Sequence, residues 1–272
     1  MNGVFKKMQI KDIEKNIICK NGRKTTMRFC QYNSQGFSTE QIEKIVNFYK
    51  EYLEQYPMIE ISHISDFVSC DYSMNGIILN KINIAHHFQF DNEWNNYKTN
   101  STNGIYDYVG KYISFNHMKV PSFVWNDTEK IIEKYSTLKE QFVNMRNKLK
   151  KIKGTVPPQI YETLLNEAKE GCPHDMGNIR FDDKYFLDLY FIRSIEEFES
   201  IYRILLHEFG HAIGYQLNIR ENSEIKKMYN EYHEAFEDID EMIAECFMVC
   251  EICDDIEFAN KVKRIINNEI KK

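Results

Sequence analysis

Long apolar runs are missing from this chain. None approaches the roughly 18 residues that a membrane-spanning helix needs. Residues 1–20 carry charges throughout and lack the apolar core of a secretory signal. The expectation is a protein made in the cytosol without a Sec-type exit, with export by a non-classical route left open. An excess of positive charge is missing too. The formal net charge is −6, which gives no general reason to expect nucleic acid or an anionic membrane as a partner. Nor is a disulfide framework expected, because the seven cysteines are an odd and scattered set: Cys19, Cys30, Cys70, Cys172, Cys246, Cys250 and Cys253. Repeats and low-complexity blocks are absent. At 272 residues, 43% hydrophobic and 28% charged, the chain suffices for one large or two small domains with a substantial core.

Histidine is scarce, with eight in all, yet two of them fall in His207-Glu208-Phe209-Gly210-His211. On an α-helix, positions i and i+4 share a face, so His207 and His211 can present two imidazoles to one metal. Glu208 stands one residue past the first, where a carboxylate can act as general base towards a water in the metal's open position. The pattern needs a helix, a third ligand and a substrate-binding element to mean anything.

Read in order, the chain alternates short apolar stretches and helices. A short strand is expected over 27–32. Ser38-Thr39-Glu40-Gln41 is a capping box. It opens a helix with Ile42, Ile45, Val46, Tyr49 and Leu53 on one face, ended by Pro57. Segments 58–72, 76–90 and 105–115 read as strands, with a polar loop over 91–104. Asn126-Asp127-Thr128-Glu129 caps a long helix, 128–153, whose Tyr135, Leu138, Phe142, Met145, Leu149 and Ile152 form a heptad seam. Packing of the seam within the chain is favoured over pairing with a second copy, although oligomerisation through this helix stays open. Gly154 and Pro157-Pro158 mark the expected domain boundary, which separates an α+β region, 1–153, from a catalytic domain, 154–272. A short helix follows over 159–168. Segment 178–191 reads as extended. Ser194-Ile195-Glu196-Glu197 reads as the capping box of the motif helix, whose apolar stripe is Ile195, Phe198, Ile201, Tyr202, Leu205, Phe209 and Ala212. Helices over 224–236 and from Asp238 to about residue 253 complete the reading.

One known continuation of the motif puts a third histidine six residues after the second, behind a glycine. Gly214 is in place, but Leu217 occupies the ligand position and cannot bind zinc. The alternative is a carboxylate from a later helix. Glu241-Met242-Ile243-Ala244-Glu245 offers two at i and i+4, and Met242, Ile243, Ala244, Phe247, Met248 and Val249 make that helix apolar enough to be buried. Buried acidic pairs need a partner such as a metal. One carboxylate can ligate while the other accepts the spare N–H of a histidine ligand.

These two motifs, His207-Glu208-Phe209-Gly210-His211-Ala212 and Glu241-Met242-Ile243-Ala244-Glu245-Cys246-Phe247, resemble those of the gluzincin metallopeptidases. The closest likeness is to the group of anthrax lethal factor and the Pro-Pro endopeptidases. The resemblance covers 178–249. It implies a zincin-like domain: an active-site helix, a small mixed sheet with an edge strand, and a helical C-terminal part. It makes His207, His211 and Glu241 ligands of a Zn2+, Glu208 the general base, and Glu245 the supporting carboxylate. It also implies hydrolysis of a protein or peptide substrate, with 178–191 as the edge strand that pairs with it. The family's tyrosine, seven residues before the ligand glutamate, is here Glu234. His233, Tyr232 or Tyr229 would have to replace it, with His233 the first choice.

Other signals are weaker. Cys246, Cys250 and Cys253 have iron–sulfur spacing but lie on an apolar helical stripe. Glu170-Gly171-Cys172 is similar to the deformylase tripeptide, although Pro173 follows and that family's glycine-rich motif is missing. His86 and His87 would point to opposite faces of a strand. His63, His117 and His174 are isolated. Two functional alternatives stand beside the peptidase: a binding or assembly protein with a vestigial zinc site, and a deformylase-like amidase.

Overall fold

The computed structural model describes residues 10–32, 36–66, 103–108, 111–115, 120–172, 176–195 and 198–272. Among them are eight α-helices and a mixed five-stranded sheet, an α+β chain as expected. Contacts divide it into two compact units, 1–125 with 199–212, and 126–198 with 213–272. The expected boundary at 153 falls inside the second unit. Expected strand 76–90, loop 91–104 up to residue 102, His86, His87, His117 and His174 lie outside the described residues.

The first unit holds the sheet: β1 (Ile10–Ile18), β2 (Lys24–Tyr32), β3 (His63–Asp66), β4 (Gly104–Asp107) and β5 (Tyr112–Phe115), in the order β1-β2-β3-β5-β4. β1 was hidden in the sequence because Ile10, Ile13 and Ile17 are spaced three and four apart, a helical spacing. β2 and β3 run parallel, which requires a crossover, and α1 (Thr39–Gln55) supplies it. The Ser38 capping box is present on both sides, so α1 starts where the sequence says. Its buried face, Ile42, Ile45, Tyr49 and Leu53, belongs to the same core as Met27, Phe29, Ile64, Ile113 and Phe115 of the sheet. The single strand expected over 105–115 is a hairpin instead. β4 and β5 pair antiparallel, and Lys111, just before β5, lies in the left-handed region at φ 50°.

The second unit is helical: α2 (Thr128–Ile152), α3 (Pro158–Glu170), α4 (Phe186–Ser194), α6 (Ser223–Tyr232), α7 (Ile239–Ile252) and α8 (Glu257–Ile270). The α2 seam packs inside this unit. Tyr135 meets Phe191 with centroids 4.3 Å apart, and Phe142 meets Phe181, Phe186 and Tyr190. The extended segment expected over 178–191 is not a strand: turns lead into α4. Its alternating Tyr185, Leu187 and Leu189 mislead because this short helix is buried on every side. Helices buried all round lose the amphipathic period that would identify them. Asp188, also buried, accepts the Phe258 N–H at 2.9 Å and so caps α8 from outside. Among the described residues no helix is long and apolar enough to cross a membrane.

Candidate metal centre

α5 (Ile201–Gln216) carries the His-Glu-x-x-His motif. It does not begin at the expected capping box. Ser194 closes α4, its hydroxyl donating to the Tyr190 carbonyl at 2.8 Å. Ser200 caps α5 instead, accepting the Arg203 N–H at 3.3 Å while donating to the Trp125 carbonyl. Aromatic packing then fixes the helix laterally. Tyr49 and Tyr52 of α1, with Tyr56 at its C-cap, surround Phe209, and Phe48 meets Tyr202 edge-on. Phe209 thus anchors the motif, and its neighbours at 207 and 211 fall on another face.

The last turn of α5 belongs to the second unit, where Gly214 lies against α7. A Cβ at Gly214 would stand 3.0 Å from Ile243 Cγ2, so the glycine expected by the excluded three-histidine pattern serves helix packing here. α7 starts at the Asp238 cap, whose carboxylate accepts the N–H groups of Asp240 and Glu241. Glu241 therefore sits in the first turn of α7, one turn ahead of Glu245.

His207, His211 and Glu241 offer ligand atoms that all lie within 4.8 Å of one another, and each residue is part-buried. The two Nε2 atoms face each other at 3.0 Å, with the rings edge-to-face. Two ligands about 2.0–2.1 Å from a tetrahedral zinc stand about 3.3 Å apart. Two imidazole nitrogens and one carboxylate oxygen also form the donor set of a three-ligand catalytic zinc site. The residues fit the ion.

Glu208 is only 4% exposed. The first residue of β4, Gly104, lies against it: an added Cβ would meet Glu208 Oε1 at 2.6 Å and its Cδ and Cγ at 3.0 Å. Tyr49 is fully buried nearby. Burial first, and the Glu208 carboxylate second, push its hydroxyl well above the usual tyrosine range. Glu245, 1% exposed, accepts a 2.7 Å hydrogen bond from the Arg193 guanidinium at the end of α4. Sequence reasoning missed Arg193 and Gly104. Arg193 lies just past the segment 178–191 that reads as extended, and Gly104 reads as the end of a loop.

His233 is not brought into this group. It is exposed at the end of α6, its Nδ1 3.2 Å from the Asn230 carbonyl. Tyr232 turns its hydroxyl to Asp183. Glu234, at the position of the family's tyrosine, is a tie. Its carboxylate accepts from the backbone and side-chain N–H groups of Asn178, which hold it below the usual glutamate range. The alternative ligand Cys172 lies outside the metal-competent group among the described residues, and its thiol is raised by burial and turned to the Ala168 carbonyl. Cys246, Cys250 and Cys253 are buried in α7 and its C-cap. Burial pushes Cys250 up to about 12, which suits an inert thiol rather than a cluster ligand.

No family model, curated protein or solved structure matches the chain. The likeness to gluzincins rests on the two motifs alone.

Proposed function

We propose that this chain is a zinc-dependent endopeptidase of gluzincin type, hydrolysing a peptide bond in a protein or peptide. The observation that carries the reading is the convergence of His207, His211 and a Glu241 carboxylate oxygen within 4.8 Å, beside Glu208. Those three residues would hold the ion. Zinc, when bound, supplies Lewis acidity towards a carbonyl and a water acidic enough to lose a proton near neutral pH. Glu208 takes that proton as general base and returns it to the departing amine. Its near-complete burial suits a base that works shielded from bulk water. Glu245, held by Arg193, keeps a second carboxylate one turn from Glu241 on the same helix.

The substrate-binding element belongs to β4 in this reading. Among the described residues β4 is the end strand of the sheet, with β5 its neighbour. An extended peptide added alongside would pair through main-chain hydrogen bonds, which bind with little sequence preference. Gly104 brings that strand up to the base. In this reading the mixed sheet, the motif helix and the helix carrying Glu241 are parts of a zincin-like domain.

A second reading, a binding or assembly protein with a vestigial zinc site, draws on Glu234, which stands in place of a transition-state tyrosine and is committed to Asn178. One experiment separates the two. Zinc is measured in purified wild type and Glu208→Gln, and both are assayed on a quenched-fluorescence peptide library. The peptidase reading expects stoichiometric zinc in both and a loss of about 10³-fold in turnover in the variant. Equal cleavage by the variant, or protein without zinc, sinks it. Bound zinc with a silent wild type supports the assembly reading.

A further inference from the structure

We infer that Gly104 is a positioning residue: the bare Cα at the start of β4 sets where the Glu208 carboxylate stands. The inference rests on the peptidase reading for its consequence, but not for the contact itself. Glycine is usually required for its backbone freedom, and that is not the reason here. Positive φ angles are found at Gly22, Gly36, Gly154 and Gly177, whereas Gly104 adopts a conformation open to any residue. What excludes a side chain is Glu208, whose Oε1, Cδ and Cγ would all lie at or within 3.0 Å of an added Cβ.

The identity of the obstructing group decides the phenotype. The three atoms nearest to a methyl at 104 all belong to one side chain, that of Glu208. That side chain can give way by rotating, so the fold survives and the base is displaced. Room to retreat is limited, because Glu208 is buried and the fully buried Tyr49 of α1 lies close enough to feel its charge. The carboxylate therefore occupies a socket with one wall made by the edge strand. General-base catalysis needs placement to within hydrogen-bond reach, and a displacement of about 1 Å is enough to reduce turnover by about 10²-fold. A strand whose first residue touches the base, without a side chain between them, ties the register of β4 to the position of the reacting proton.

Gly104→Ala tests this. Zinc content should remain stoichiometric, kcat on the best-cleaved library peptide should fall about 10–100-fold, and KM should stay within about 2-fold. A merely structural glycine would instead lower stability and zinc content together and leave the activity per bound zinc unchanged. That result overturns the inference. The contact has its own readout, independent of activity, in a thermal-denaturation cycle. Gly104→Ala should lower Tm by about 2–4 °C in wild type and not measurably in Glu208→Ala, where the obstructing Oε1, Cδ and Cγ are gone. An equal loss in both backgrounds overturns the contact. A vanishing loss in a protein that cleaves no peptide upholds the contact and sinks the peptidase reading instead.

Discussion

Among the described residues two glutamates lie hard against a glycine, and they differ in almost everything else. In the first unit Gly104 has ordinary backbone geometry and abuts a buried Glu208. In the second unit Gly177 is left-handed at φ 55°, and an added Cβ would overlap the carboxylate of an exposed Glu234 and stand 2.6 Å from its Cβ. Glu234 spends its acceptors on Asn178, as a strap does. Glu208 sits in the metal motif, beside two imidazoles that face each other. Close approach of a glycine therefore does not by itself mark a site. In the peptidase reading position separates the two: Glu234 is tied to Asn178, whereas Glu208 stands next to His207 in the motif. The largest effect expected from this contrast is on turnover. Glu208→Gln loses about 10³-fold, while Glu234→Gln stays within about 2-fold. A large activity loss in Glu234→Gln, measured on the same peptide, would erase the distinction.

A third glutamate sharpens it. Glu245 is buried like Glu208, but it is held by charge, through Arg193. Removing one partner of a buried ion pair leaves an uncompensated charge, so Arg193→Met should destabilise the fold by about 3 kcal/mol, at the low end because Arg193 is 30% exposed. Urea denaturation should show this loss and a partial recovery in the Arg193→Met/Glu245→Met double variant. A single variant as stable as wild type would show that the pair is not needed to hold Glu245.

Gly177→Ala separates the two glycines more gently. The left-handed backbone costs a non-glycine residue about 1–2 kcal/mol. Glu234 cannot swing aside as Glu208 can, because its own Cβ is among the obstructing atoms. Stability should fall by at least that amount, with zinc content and kcat unchanged. The opposite split, lost turnover with retained stability, is the signature reserved for Gly104→Ala.

The sequence disclosed the parts of the site that are local. The i, i+4 spacing of His207 and His211, the i, i+4 pair Glu241 and Glu245, and the caps at Ser38 and Asp238 depend only on helix geometry, and each is found on the helix expected for it. Other elements are harder to read. α4, buried at all its positions but Arg193, reads as a strand in sequence, so the edge-strand role implied by the resemblance falls on 178–191, which is not a strand. β1 imitated a helix through its isoleucine spacing. α8 was overlooked, although Phe258, Val262, Ile265 and Ile266 supply a regular buried face. Contacts between distant positions, Gly104 with Glu208, Arg193 with Glu245 and Asn178 with Glu234, leave no trace in local pattern. They exist only once the chain has folded.

The smallest effect concerns the strap at Glu234. The Asn178 backbone N–H, and then its side-chain amide, favour the charged form and hold this carboxyl below its ordinary value of 4.5. A group with a depressed folded-state pKa stabilises the fold at pH values above its unfolded pKa, and that stabilisation is lost as pH falls through the folded value. Wild type should therefore exceed Glu234→Gln in Tm near neutral pH. The gap should narrow only below the ordinary glutamate range, as Glu234 takes up its proton. Because Glu234 is exposed, the gap should be small and should shrink further in high salt. A gap that stays constant from neutral pH down past 4.5 would mean that the charge of Glu234 contributes nothing and that shape alone makes the tie.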